Sequence, residues 1–268
     1  MRTSAGSDRP LRPLVAALVA TTAVVVLAAA TGFLDPTALL ITIGGPLAVA
    51  WTTFSHARMR AAWAEVRAAL APRRDGTALV ASLVTLARLH RTKGIRALER
   101  AAAAEPDPLV RHAAIAAVEC EDAEELEALL LGEARKRAAV GEDARHVLGT
   151  LGKLFPAFGL IGTLIGLALL LRGLTDHSVA AIGPGLGIAV LTTLYGAVLS
   201  NVVVLPLVTR LQAHLVAEAA HADAVIEGAL LLQREEYPSR VERVLRAHLG
   251  LASVRAKTPV APVATRAA

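Results

Sequence analysis

The chain holds one cysteine, Cys120, in 268 residues, so no intrachain disulfide can brace it and a small disulfide scaffold is excluded. Charged side chains make up only 19% of the sequence, and the mean hydropathy is +0.53, which an ordinary soluble domain would not show. Strand-like alternation of apolar and polar residues persists nowhere. Catalytic patterns are missing as well. Gly149-Thr150-Leu151-Gly152-Lys153 lacks both the earlier glycine and the Ser/Thr after lysine that a phosphate loop needs. Gly183-Pro184-Gly185-Leu186-Gly187 has no strand before it, so it is no dinucleotide fingerprint. No histidine lies in a ligand-spaced cluster with cysteine or carboxylates, which leaves no metal site and no cofactor. Disorder is excluded in turn, because 54% of the residues are hydrophobic.

What is present is a set of long uncharged runs. Pro13–Phe33 covers 21 positions, Thr37–Phe54 and Leu154–Leu171 cover 18 each, and Ser178–Val208 covers 31. A bilayer core needs about 20 helical residues, so the runs read as four membrane spans. The first run is too long, and too closely followed by a second, for a cleavable signal peptide. Basic residues orient the chain: three arginines precede span one, sixteen Lys/Arg lie between spans two and three, eight follow span four, and only Arg172 falls in a short connection. Positive charge stays on the cytoplasmic side. Both termini and the long middle segment are therefore expected in the cytoplasm, and the net charge of +5 needs no nucleic acid to explain it.

The parts outside the runs read as helices. Leu79, Leu83 and Leu86 recur at helical spacing, as do Leu126, Leu129 and Leu130 after an acidic start. Asp107-Pro108 predicts an N-cap followed by a first-turn proline. Breaks are expected at Pro72–Gly76, Glu105-Pro106 and Tyr237-Pro238-Ser239, with a continuous helix from Pro206 to about Glu236 and a short amphipathic one ending near Gly250.

Spans three and four carry the informative residues. Pro156, Gly159, Thr163 and Gly166 share one helical face, and Gly162 with Gly166 makes a GxxxG pair. Span four has two stripes at every fourth position: Thr192, Gly196, Ser200, and Ala189, Thr193, Ala197, Asn201. Small residues let helix backbones approach, so Gly159, Gly162, Gly166, Gly196 and Ala197 are read as packing residues. The hydroxyls with Asn201 make a more polar face than packing needs. Such a face either bonds a partner helix or lines a wet path. Pro156 and Pro206 each remove a backbone donor near a cytoplasmic end, as a static bend or a hinge. No Asp, Glu, Lys, Arg or His lies inside a span. Proton movement through a membrane normally needs a titratable group there, so a conducting protein of this kind needs a carboxylate from another chain.

Several segments resemble, in order, the flagellar stator subunits of the MotA/PomA family within the MotA/TolQ/ExbB superfamily. Pro156–Leu167 resembles their third span. Leu191–Asn201 followed by Pro206 resembles their fourth, with Ile182-Gly183-Pro184 at its entry. Asp35–Ile41 with Gly44-Gly45 is similar to their second span. Lys93–Glu99 and Asp107–Arg111 are similar to their cytoplasmic segment, and Glu227-Gly228 through Tyr237-Pro238 to their tail. Arg96 stands where the family usually has an apolar residue, and span one lacks the family's glycine-rich pattern.

The resemblance implies an ion-conducting stator subunit that couples proton (or sodium) flow to torque. It would form a homopentamer around a dimer of a MotB-like, single-span, peptidoglycan-binding partner that supplies the ion-carrying Asp. It would also act on a FliG-like rotor protein. Thr163 and Thr193 match hydroxyls on the family's ion path, and Thr192, on the neighbouring stripe, is counted with them. Pro156 and Pro206 match its coupling prolines, and Arg91 and Glu99 its rotor-contacting charges. The last two would lie about 12 Å apart along a straight helix at 1.5 Å per residue.

The expected fold is all-α, an integral protein of the bacterial inner membrane. Its parts are a cytoplasmic N-terminus (1–12), spans one and two (13–54), a rotor-facing helical domain (55–153), spans three and four (154–208), cytoplasmic C-terminal helices (209–250) and a disordered tail (251–268). An ExbB/TolQ-like or gliding-type energiser is the alternative within the same mechanics, although that group has three spans. A non-conducting membrane scaffold is the alternative of another class.

Overall fold

A computed structural model describes residues 34–72, 75–175 and 179–251. The expected first span and N-terminus, and all of the expected tail but Leu251, lie outside the described residues. Among the described residues there is no strand, and the fold is all-α as expected. Three helical stretches among the described residues are long and apolar enough to cross a membrane: Pro36–Thr53, Ala123–Thr175 and Ile182–Gln233. They contain the run read as span three, all but Phe54 of span two and most of span four.

Local signals set the helix ends. Helix α1 (Pro36–Thr53) starts where the Asp35 carboxylate accepts the Ala38 N–H at 2.8 Å with Pro36 in the first turn. Ser55 caps α2 (His56–Leu70), and Asp75 caps α3 (Gly76–Lys93) by accepting the Thr77 N–H at 2.9 Å. Gly94, at φ +74°, ends α3 and opens α4 (Ile95–Ala103), a conformation that disfavours a β-carbon. Asp107 and Pro108 begin α5 (Pro108–Glu119) as the sequence predicts. The acidic start leads into α6 (Ala123–Thr175), which runs through Pro156. Helix α7 (Val179–Val198) passes through a π-helical segment, Leu199–Val204, into α8 (Leu205–Gln233). Helix α8 closes with paired bonds from Glu236 N–H to Leu231 O and from Glu235 N–H to Leu232 O, both 3.0 Å, with Glu235 left-handed at φ +50°. Helix α9 (Pro238–His248) follows.

A second π segment, Leu40–Gly44, lies inside α1. Each π segment includes the residue four before a proline, Thr42 before Pro46 and Val202 before Pro206. There a proline ring would clash with an α-helical carbonyl, and the wider π turn relieves the clash.

The described residues form two compact units, one within Met1–Pro72 and Ala138–Leu215, the other within Arg73–Arg137 and Val216–Ala268. In the first, α2 sets Ala62 and Val66 against Ala50, Phe54, Ala144, Val147, Leu148 and Leu211. An exposed Arg58–Asp143 ion pair of 2.7 Å sits at that cluster's edge, with Arg58 over the Phe54 ring. In the second, α9 packs on α3, and Leu79, Leu83, Leu98, Leu126, Leu130, Val225, Leu232 and Leu245 share one core with the alanines of α5. Leu129, expected among them, is 46% exposed, because only Leu126 and Leu130 share the inward face. These units divide the segment 55–153 between them. Helix α2 carries its apolar stripe to the membrane-length helices, whereas α3 to α5 bury theirs with α8 and α9.

Candidate functional site

Helices α6 and α7 pack backbone against backbone. A β-carbon on Gly166 would lie 2.5 Å from Ala189 N, and one on Gly196 would lie 2.6 Å from Phe155 O. At Gly159 the nearest atom would be Thr192 O at 2.9 Å, and at Gly162 the Thr192 side chain at 2.5 Å. At each of these four glycines a β-carbon would press on the neighbouring helix. Two more were missed. A β-carbon on Gly185 would lie 2.7 Å from Leu170 N, and Gly45 of α1 leaves room for the Phe158 ring, which a β-carbon would meet at 2.1 Å. The Gly44-Gly45 pair was the available signal, but its target on another helix was not.

The close approach brings two hydroxyls together. Thr163 Oγ1 and Thr193 Oγ1 are 2.6 Å apart, and Thr163 Oγ1 is also 3.0 Å from Gly159 O. Both hydroxyls lie 3.3 Å from Ala189 O. Each has one proton and two lone pairs. One donates to the other, a helix carbonyl takes the second proton, and oxygen lone pairs remain on the exposed Thr193 side. Asn201, two turns on, gives one amide proton to Ala197 O at 3.0 Å and is exposed.

Two expectations need correction within the single chain. Thr192, counted with the ion path, is fully buried, and its hydroxyl is held by Ile188 O at 2.9 Å and Ala189 O at 3.2 Å. It faces Gly162 and Thr42, one residue round the helix from Thr193. Ala197, counted as packing, is exposed on the Thr193–Asn201 stripe, because Gly196 takes the inward position. Thr42 was not foreseen at all. It is fully buried, donating to Ala38 O at 2.8 Å, and lies 3.5 Å from Thr192 O. A lone hydroxyl in an apolar run gave no signal of that role. Tyr195 likewise ties α7 to the start of α1 by accepting the Asp35 N–H at 3.3 Å.

Pro156 is exposed inside α6, and Pro206 lies in the first turn of α8, two residues past the π segment. Arg91 and Glu99 are both exposed but stand on different helices, α3 and α4, because Gly94 breaks the run. The straight-helix spacing between them does not apply. Arg91 donates from Nη1 to Glu235 O at 2.9 Å and stacks over the Tyr237 ring at 3.6 Å.

The fold and this site define a class: an all-α protein with membrane-length helices, two of which pack through glycine and pair their threonines on an exposed face. The model of the MotA/TolQ/ExbB proton channel family matches residues 96–224. Chemotaxis protein PomA of Vibrio alginolyticus is 31% identical over 223 residues, 81% of this chain and 85% of PomA. The uncharacterized protein YtxD of Bacillus subtilis is 30% identical over 214 residues, 80% of this chain and 78% of its own. A solved structure of C. jejuni MotAB matches with a TM-score of 0.79 at 19% identity, covering 93% of this chain and 99% of the matched one. The chain belongs to the MotA/TolQ/ExbB proton channel family, in its MotA/PomA group.

Proposed function

We propose that the chain is an ion-conducting stator subunit of the bacterial flagellar motor, with four spans, both termini cytoplasmic and its place in the inner membrane. The observation that carries the reading is the Thr163–Thr193 hydroxyl pair on an exposed face of helices whose spans hold no ionisable side chain. Hydroxyl oxygens can pass or ligate a cation, but they cannot store a proton at neutral pH. A carboxylate must come from a partner, and a MotB-like single-span protein with a membrane Asp fits that need. Five copies of this chain around two of that partner is the assembly proposed, and protons are the ion.

In this reading the threonine face meets the partner. Pro156 and Pro206 turn ion passage into motion of the cytoplasmic helices, and Arg91 with Glu99 meets a FliG-like rotor protein. The stacked, hydrogen-bonded Arg91 is a preset charge rather than a free one, which suits repeated docking.

The test is deletion of the gene in a host whose filaments still assemble, with swimming filmed. Paralysis rescued by the wild-type gene, but not by an Arg91/Glu99 charge-reversed version, supports the stator reading. Normal swimming in a strain with no second stator set refutes it in favour of another envelope machine. Flux through the complex that survives Thr193→Val removes the ion-path assignment. Flux that follows sodium rather than pH removes the proton.

A further inference from the structure

Ser200 lies on the small-residue stripe of Thr192 and Gly196, and the threonine pair makes no use of it. In an unbroken α-helix the carbonyl of Gly152 accepts the amide of residue 156. That residue is Pro156, which has none. The Ser200 hydroxyl takes the position instead, donating to Gly152 O at 2.7 Å from the neighbouring helix.

The donor sits on an irregular backbone of its own. Ser200 belongs to the π segment Leu199–Val204, where the Leu205 N–H reaches back five residues to Ser200 O. Asn201 O is passed over by that bond, and the next amide in the same register would be that of Pro206, which has none. Each helix therefore has a proline-freed carbonyl in the same region. A cavity of about 200 Å³ opens beside them, lined by Gly149, Gly152, Ser200, Asn201, Val204 and Leu205. A water molecule occupies roughly 30 Å³ and needs two to four polar partners. The cavity supplies both the room and the acceptors.

We propose that Ser200 is a positioning residue for the two prolines. Its hydroxyl is an exchangeable substitute for the amide missing at Pro156. It latches that turn of α6 to the π segment ahead of Pro206, and cavity water replaces it when the helices shift. A backbone amide would close the Gly152 bond within α6 and leave α7 uncoupled from it. A side-chain donor from α7 makes the same bond a contact between the two irregular turns, and water lowers the cost of breaking it. The functional consequence rests on the stator reading, whereas the contact does not.

The test is a double-mutant cycle on the complex purified with its single-span partner, comparing wild type, Ser200→Ala, Pro156→Ala and the double variant. Melting temperature is read first. Ser200→Ala is expected to lower it in the wild-type background and to change nothing beside Pro156→Ala, whose restored amide already serves Gly152 O. Ser200→Thr should keep the wild-type value. An equal loss in both backgrounds, or no loss in either, overturns the latch. Ion flux into vesicles is read second. It should fall about threefold or more in Ser200→Ala, the size of effect one modest hydrogen bond can exert, and be rescued by Ser200→Thr. Wild-type flux in Ser200→Ala overturns the coupling role. A wild-type complex that carries no ion at all would sink the stator reading instead, and the melting cycle would still decide the latch.

Discussion

Gly196→Ala tests whether α6 and α7 are held by backbone contact. A β-carbon there would lie 2.6 Å from Phe155 O and 3.3 Å from Gly159 Cα, and both are main-chain atoms that cannot rotate away. Reaching an ordinary contact of 3.4 Å requires the helices to part by about 0.8 Å. Overpacking of this kind costs about 1–3 kcal/mol. The better helix propensity of alanine returns about 1 kcal/mol. The 2.6 Å approach to a fixed main-chain oxygen puts the cost in the upper part of the overpacking range, about 2–3 kcal/mol. Steric strain should therefore win by about 1–2 kcal/mol, van der Waals contact being the main force between helices in lipid. The parting also strains the Thr163–Thr193 contact, one turn away on α7. Gly132→Ala is the control, because a β-carbon there meets nothing within 4 Å and only the propensity gain remains. Thermal melting of the purified complex, followed by circular dichroism, should place Gly196→Ala roughly 2–8 °C below wild type. Gly132→Ala should melt at or above wild type. A Gly196→Ala complex as stable as wild type, or equal losses for both variants, would refute the argument.

Other expectations follow from single contacts. Tyr237→Leu removes the ring under Arg91, a contact of about 0.5–1 kcal/mol at an exposed site. It should slow swimming while leaving the melting temperature within a degree or two, whereas Tyr237→Phe should swim normally. Asp107 caps α5 through the Leu109 N–H at 2.9 Å and meets His221 Nε2 at 2.9 Å with both side chains largely buried. Asp107→Ala should therefore destabilise the chain by about 1–3 kcal/mol in a denaturation series. Burial, reinforced by Glu125, Glu119 and Asp122, pushes the Cys120 thiol above its ordinary pKa. Iodoacetamide at neutral pH should label it more slowly than a free cysteine, and equal rates would contradict that environment. Hydrogen bonds from the Thr77 hydroxyl and N–H hold the Asp75 carboxyl below the usual carboxylate range. Its cap contribution is thus complete above the unfolded pKa and fades as pH falls through the lower folded one. Asp75→Asn should flatten that acid-side loss.

Much of the fold was legible because its signals are local. The cap at Asp107, the breaks after Leu70 and Ala103, and the end of α8, at Gln233 where about Glu236 was expected, all depend on a few neighbouring residues. Close helix packing imposes a period of three to four residues, and that period is the signal the glycines carry. Which side of that period faces inward could not be read from it. Thr192 and Thr193 are adjacent in sequence, and one is fully buried while the other is exposed. That choice depends on where α1 lies, through Thr42 and Gly45. Arg91 and Glu99 show the same limit. Their charges were evident, but one glycine at positive φ placed them on separate helices, and the stack on Tyr237 joins residues 146 positions apart.

The outer faces of α6 and α7 bear on what must cover them. Leu160 and Leu164 are each 62% exposed, Val190 56% and Leu194 44%, and lipid or another apolar helix could cover these side chains equally well. The polar stripe is different. Asn201 gives one amide proton to Ala197 O, and in hydrocarbon its second amide proton and its oxygen would have no partner, at a cost of several kcal/mol. Thr193 carries lone pairs on the same stripe, two turns away. Lipid can therefore cover the leucines but not the Thr193–Asn201 stripe. That stripe needs water or polar protein beside it, which supports an assembly that turns the threonine face inward and the leucines outward. Asn201→Leu would remove the mismatch. If the stripe lines a wet path, this variant should assemble normally with its partner and lose ion flux. If the stripe only bonds a neighbouring helix, assembly should weaken first.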